Sequence, residues 1–149
     1  MGTAGGFRAD AETVGRLLDD FNREFDEPTP GPSQLAERVR RLLGAGDTTI
    51  LVGGPGPDGL AVTRCRPAIW SDGLECYLAE LYVVPHHRGK GLGRALVEAA
   101  IADAQQQGAQ CIEVTTGEDN IAARALYESL GFTTGDGGSI DYFYQRRLP

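Results

Sequence analysis

The sequence predicts an α/β fold, one mixed sheet with helices on both of its faces. Three observations predict it. Apolar residues recur at spacings of three and four in some segments and gather into short β-rich runs in others. Clusters of glycine and proline punctuate the boundaries between them. One β-rich run, Leu74–Val84, passes through VVPHHRGKGLGRAL directly into a helical pattern, a strand–turn–helix unit. The 149 residues fit a single domain, 1–149, and no linker divides them.

The elements follow in order. A short opening strand is expected around Gly6–Ala9. Val14, Leu17, Leu18, Phe21 and Phe25 then mark an amphipathic helix over residues 11–25. Pro28, Pro30 and Pro32 stop it by removing donors and fixing the backbone. Ser33 reads as the N-cap of a second helix running to about Leu43, with Glu37 near the capping-box position. Thr48–Val52 is a strand ending at a Gly/Pro turn, and a second strand follows from Leu60 to about Pro67. Ser71-Asp72-Gly73 turns the chain into Leu74–Val84. A helix over residues 91–107 buries Leu92, Leu96, Ala99 and Ala100 and stops at Gly108. Cys111–Thr116 is a short strand, Asn120–Leu130 a helix ended by Gly131, and Tyr142–Arg146 a last strand. The order is β-α-α-β-β-β-α-β-α-β.

Composition excludes several classes. No apolar run is long enough to span a membrane, and the N-terminus lacks the apolar core of a signal peptide, so a cytoplasmic location is expected. A net charge of −7 argues against general nucleic-acid binding. Cys65, Cys76 and Cys111 are an odd set spread singly through apparent strands, which predicts small core residues in a reducing compartment rather than disulfides. Two histidines, adjacent in one loop, supply few ligands, so no metal is expected.

The segment Arg88-Gly89-Lys90-Gly91-Leu92-Gly93-Arg94 carries the chemistry. Glycines leave the backbone bare where a helix begins, and the first turn of a helix offers unpaired N–H groups and partial positive charge. Arg88, Lys90 and Arg94 add cationic side chains. The phosphate-loop pattern fails because Gly91 follows Lys90, and the dinucleotide pattern fails because Arg94 stands where a third glycine is needed.

These residues resemble the Arg/Gln-x-x-Gly-x-Gly/Ala signature of the GNAT superfamily of acyl-CoA-dependent N-acyltransferases. A second segment, Asn120-Ile121-Ala122-Ala123-Arg124-Ala125-Leu126-Tyr127-Glu128-Ser129-Leu130-Gly131-Phe132, resembles the family's N-x-x-A-x-x-x-Y-x-x-x-G-F run. The predicted element order is also the family's, so the resemblance covers nearly the whole chain. It implies that acetyl-CoA is the co-substrate and that Gly89, Lys90, Gly91 and Gly93 cradle its pyrophosphate with Arg88 and Arg94 nearby. It implies further that the backbone of Tyr82 and Val83 runs beside the pantetheine arm, and that Asn120 and Tyr127 complete the cofactor site.

Acyl transfer to an amine needs a base, an oxyanion donor and an acid. The resemblance makes Tyr127 the acid that protonates the departing sulfur, and a backbone N–H within Leu81–Val84 the oxyanion donor. Glu80, the lone acid in the run Cys76–Val84, is either the base, an anchor for a substrate ammonium, or a carboxylate on a solvated face. His86 and His87 fall in the phosphate loop. Between Leu17 and Glu27, five acids stand against one arginine, which fits either a solvated helix face or a wall for a cationic acceptor. Trp70 and Tyr77 are candidates to line the acceptor pocket.

The expected function is N-acetylation of a primary amine by direct attack in a ternary complex, on a cationic small molecule of the polyamine or aminoglycoside type. A protein or peptide acceptor, and a sensor that binds acyl-CoA without turnover, are the alternatives. Exposed strand edges permit a homodimer.

Overall fold

The structure, a computed structural model, describes residues 10–135 and 137–149. The opening strand expected at Gly6–Ala9 lies outside them. The chain divides into two compact units, residues 1–112 and 113–149.

In the first unit, α1 (Ala11–Glu24) begins where the Asp10 carboxylate accepts the Glu12 N–H at 3.1 Å. The second helix, α2 (Pro32–Ala45), starts two residues earlier than expected. Gly31, at φ 96°, is its N-cap in place of Ser33, and Pro32 takes the first helical position, where a missing N–H costs nothing. Strands β1 (Thr48–Gly53), β2 (Gly59–Pro67) and β3 (Leu74–Val83) pair antiparallel in sequence. A single 3-10 turn, Pro85–His87, leads to α3 (Leu92–Gln106), and β4 (Ala109–Val114) completes the sheet order β1-β2-β3-β4.

The two faces of this sheet have different cores. Ile50, Val52, Leu60, Val62 and Tyr82 pack with Val14, Leu17 and Val39 under α1 and α2. On the other face α3 covers the strands, and Cys65 and Cys76 pack with Ala104. Leu17, Leu60 and Leu96 are wholly buried, each contributing about 1.5–3 kcal/mol over an exposed position.

Two cysteine expectations are corrected. Cys65 and Cys76 are directly opposed in the β2–β3 register and form a disulfide, while Cys111 is exposed rather than in the core. Separation along the chain hid the pairing, because it depends on which residues the hairpin sets opposite each other.

The second unit contains the end of β4 and α4 (Ile121–Ser129). The side chain of Asn120 caps α4 by accepting the Ala123 N–H at 3.2 Å, and Gly131, at φ 90°, ends it. Tyr127 is buried, its ring 5.5 Å from that of Phe132. The last strand expected over Tyr142–Arg146 is not formed: residues 141–149 are neither helix nor strand, and Tyr142, Phe143 and Tyr144 are exposed. The residue types suit a strand, but a strand exists only where a neighbour takes its backbone hydrogen bonds. None of the helices described is long and apolar enough to cross a membrane.

Candidate active site

The β2–β3 ladder breaks at one place. Val62 faces Glu80 and Thr63 faces Leu78, so Ala79 is an extra residue in β3, a β-bulge. Its consequence is geometric. Ala79 packs against the α1/α2 core, and Glu80 lies opposite Val62, a member of the same core. Two consecutive residues therefore point to one face, and the alternation shifts by one. Cys76 belongs to the α3 face before the bulge, and Tyr82 belongs to the α1/α2 face after it.

Glu80 sits on a polar strip of that face with Arg64 and Tyr77, which oppose each other across β2 and β3. Among the described residues its carboxylate has no hydrogen-bond or ion-pair partner. Although the residue is exposed, crowding by its surroundings is the main cause that raises its pKa, and the charge of Arg64 pulls in the opposite direction. Trp70, 97% exposed, lies in the loop between β2 and β3 and lines nothing in the described structure, while Tyr77 is partly exposed on the strip.

From Val83 the chain enters the glycine loop. Gly89 and Gly91 have φ of 73° and 85°, a conformation that side chains disfavour. A Cβ at either position would meet no protein atom within 4 Å, so the loop's glycines answer to backbone shape and open onto free space. Gly91 is the N-cap of α3 and no side chain caps the helix, which leaves the first-turn N–H groups around Leu92, Gly93 and Arg94 without intrahelical acceptors. This bare helix start, with positive backbone charge and room in front of it, fits a pyrophosphate.

The three cations of the loop are used differently. Arg88 donates from Nε to the Val83 carbonyl at 2.9 Å and holds Glu24 through Nη2 at 2.7 Å. Arg94 pairs with Glu98 at 3.1 Å one turn along α3. Lys90 is exposed and has no ion-pair partner among the described residues.

Glu24 is the residue that sequence reasoning missed. At the last position of α1, its carboxylate also accepts the Tyr82 hydroxyl at 3.1 Å. Tyr82 is buried, stacks on Phe21 at 4.9 Å between ring centroids, and lies under the Arg88 guanidinium at 5.8 Å. Burial first, and the Glu24 hydrogen bond second, push its phenol up to about 12. It therefore stays a neutral donor, and its hydroxyl is already taken by Glu24. Glu24 thus ties α1 to the end of β3 and to the glycine loop. Glu24→Ala leaves the Tyr82 hydroxyl without its acceptor, which is expected to cost about 1–3 kcal/mol in chemical denaturation. It should also weaken acetyl-CoA binding while Glu24→Gln retains most of both; equal stability of wild type and Glu24→Ala would refute the tie.

The other acids of α1 are answered inside the protein. Asp19 accepts from Thr29 Oγ1 and from Arg23, each at 2.7 Å, and these bonds hold its carboxyl below the usual range. Asp20 lies 3.7 Å from Arg16. Asp26 and Glu27 make no ion pair among the described residues.

A sequence profile of the acetyltransferase (GNAT) family matches residues 15–132. The chain belongs to the GNAT family. The resemblance carried by the glycine loop and by the Asn120–Phe132 segment is thereby confirmed, and the protein is an acyltransferase. It is 35% identical over 134 residues to a mycothiol acetyltransferase of Thermobispora bispora, a match spanning 87% of this chain and 39% of that longer protein. To the uncharacterized N-acetyltransferase YhfO of Bacillus subtilis it is 30% identical over 136 residues, 90% of each chain. A crystal structure from Arthrobacter sp. FB24, provisionally named an acetyltransferase, superposes with a TM-score of 0.87 at 40% identity, covering 94% of this chain and 91% of that one. The fold is also that of an aminoglycoside acetyltransferase from a soil metagenome, with a TM-score of 0.74 at 17% identity over 93% of this chain and 91% of that one.

Proposed function

We propose that this GNAT protein transfers the acetyl group of acetyl-CoA to a primary amine by direct attack in a ternary complex, with Glu80 as the base. The observation that carries the reading is the bulge at Ala79–Glu80. It sets an exposed, unpartnered carboxylate of raised pKa on the polar strip of the strand that feeds the glycine loop. An alkyl ammonium, with a pKa near 10.4, is almost wholly charged at neutral pH. Glu80 first attracts that ammonium and then takes its proton, directly or through one water. A backbone N–H after the bulge holds the carbonyl oxygen as negative charge develops on it, and within Leu81–Val84 the Val84 N–H is excluded because it already donates to the Asp58 carbonyl. Tyr127 gives its proton to the departing sulfur, a role carried over from the resemblance.

The cofactor would lie with its pyrophosphate on the first-turn amides of α3 and the ammonium of Lys90. Asn120 contributes by capping α4. A thiol nucleophile is disfavoured, since Cys65 and Cys76 are bonded to each other and Cys111 has no base paired with it.

The acceptor we infer is a cationic small molecule that presents one primary amine to Glu80. Asp26 and Glu27 are the acids of the α1 region left to meet further positive charge, so the wall is weaker than its composition suggests.

Quenched single turnovers followed by intact mass test direct attack. The protein should carry no acetyl group at any time, and thiol should appear only with amine present; an acetylated enzyme would overturn the reading. In the same assay, Tyr127→Phe should lower turnover about 10²–10⁴-fold with acetyl-CoA affinity retained, the usual range for a general acid. Unchanged turnover would remove Tyr127 from the acid role.

A further inference from the structure

The β1–β2 turn and the approach to the glycine loop bring Asp58, His86 and His87 together. One potential donor atom from each lies within 4.8 Å of the other two. We propose that these three residues form a binding site for a divalent transition-metal cation of the zinc class, next to the glycine loop, and the proposal does not depend on the acetyl-transfer reading.

Asp58 is the rigid part of this site. It is buried, its N–H donates to the Gly53 carbonyl at 2.8 Å, and its carbonyl accepts the Val84 N–H at 2.8 Å. Its Oδ2 takes the Gly56 N–H at 3.0 Å. A Cβ at Gly54 or Gly56 would collide with the carboxylate, so the turn is shaped around it. Oδ1 is left facing Nε2 of His87 at 3.4 Å. Two donors on one tetrahedral zinc, with bonds of about 2.0–2.1 Å, stand roughly 3.3 Å apart. The Asp58–His87 spacing already meets that requirement.

His86 lies edge-on to His87, with ring centroids 4.7 Å apart, and is exposed. It can therefore close the remaining gap by turning about its own side-chain bonds. Two imidazoles and a carboxylate suit zinc and its neighbours rather than magnesium or calcium. Three protein donors leave a fourth position for water. The bound cation would clamp the β1–β2 turn to the segment Val84–Arg88. It would also add positive charge beside a cavity of about 400 Å³ lined by Gly54, Pro55, His87, Lys90, Gly91 and Leu92.

The test titrates zinc sulfate into chelator-treated, untagged protein carrying Cys111→Ser, which removes the one exposed thiol among the described residues. One zinc per chain and a rise in Tm with zinc concentration are expected. His86→Ala and His87→Ala should each weaken binding at least about tenfold. Asp58→Asn should do the same, but that buried residue also holds the turn, so exposed His86 carries the decision. No zinc bound by the wild-type site, or equal affinity in both histidine variants, would overturn the proposal.

Discussion

Glu80→Gln is expected to lower kcat/KM for the amine about 10²–10⁴-fold, the usual contribution of a positioned base, while acetyl-CoA affinity stays unchanged. The pH dependence makes the test specific. In the wild type the rate should fall as pH drops through the Glu80 pKa, which lies above the usual glutamate value because crowding disfavours its charge. That limb should vanish in Glu80→Gln. Stability should move the other way. A carboxyl whose folded pKa is raised adds stability below its unfolded pKa and loses it as pH rises through the folded value. At neutral pH the ionised wild-type group is therefore the disfavoured form, and a permanently neutral glutamine should raise Tm. An identical pH–rate profile in Glu80→Gln would leave Glu80 as an anchor or a surface charge.

The second large effect is expected from the glycine loop. Gly91→Val places a β-branched residue at φ 85°. The left-handed conformation costs a non-glycine residue about 1–2 kcal/mol, more for a branched one. Its side chain would project into the open space in front of the first-turn amides of α3. The KM for acetyl-CoA should rise at least about tenfold if those amides hold the pyrophosphate. Gly44→Ala is the matching control. Gly44 lies exposed within α2 with no atom within 4 Å of a new Cβ, so alanine there should stabilise by about 0.5–1 kcal/mol and leave KM unaltered. Wild-type acetyl-CoA affinity in a folded Gly91→Val would refute the role of the loop.

Much of this was legible in the sequence, and for identifiable reasons. The spacing of Val14, Leu17 and Phe21 located α1, and the glycine loop located the start of α3, because local periodicity and backbone freedom are local properties. What stayed hidden depends on register or on tertiary contact. The bulge at Ala79 alters no residue type; it alters only which neighbour Glu80 faces. The Cys65–Cys76 bond follows from the same register. Glu24 and Arg88 are 64 residues apart, so nothing local could reveal that the signature arginine is held by α1 rather than left free for phosphate. The acids of α1 could not be sorted by their count, since composition cannot show that Asp19 is already satisfied by Arg23 and Thr29. The final strand failed for the complementary reason: the Tyr142–Arg146 composition expresses a preference that no strand among the described residues fulfils.

The central claim is that this GNAT protein acetylates a primary amine. Thiol release from acetyl-CoA across a panel of amines tests it most directly, with polyamines, aminoglycosides, amino acids and short peptides each supplied to wild type and to Glu80→Gln. Release that depends on one small cationic amine and collapses in Glu80→Gln is the predicted result. Acetyl-CoA that binds yet releases no thiol with any amine in the panel would contradict it.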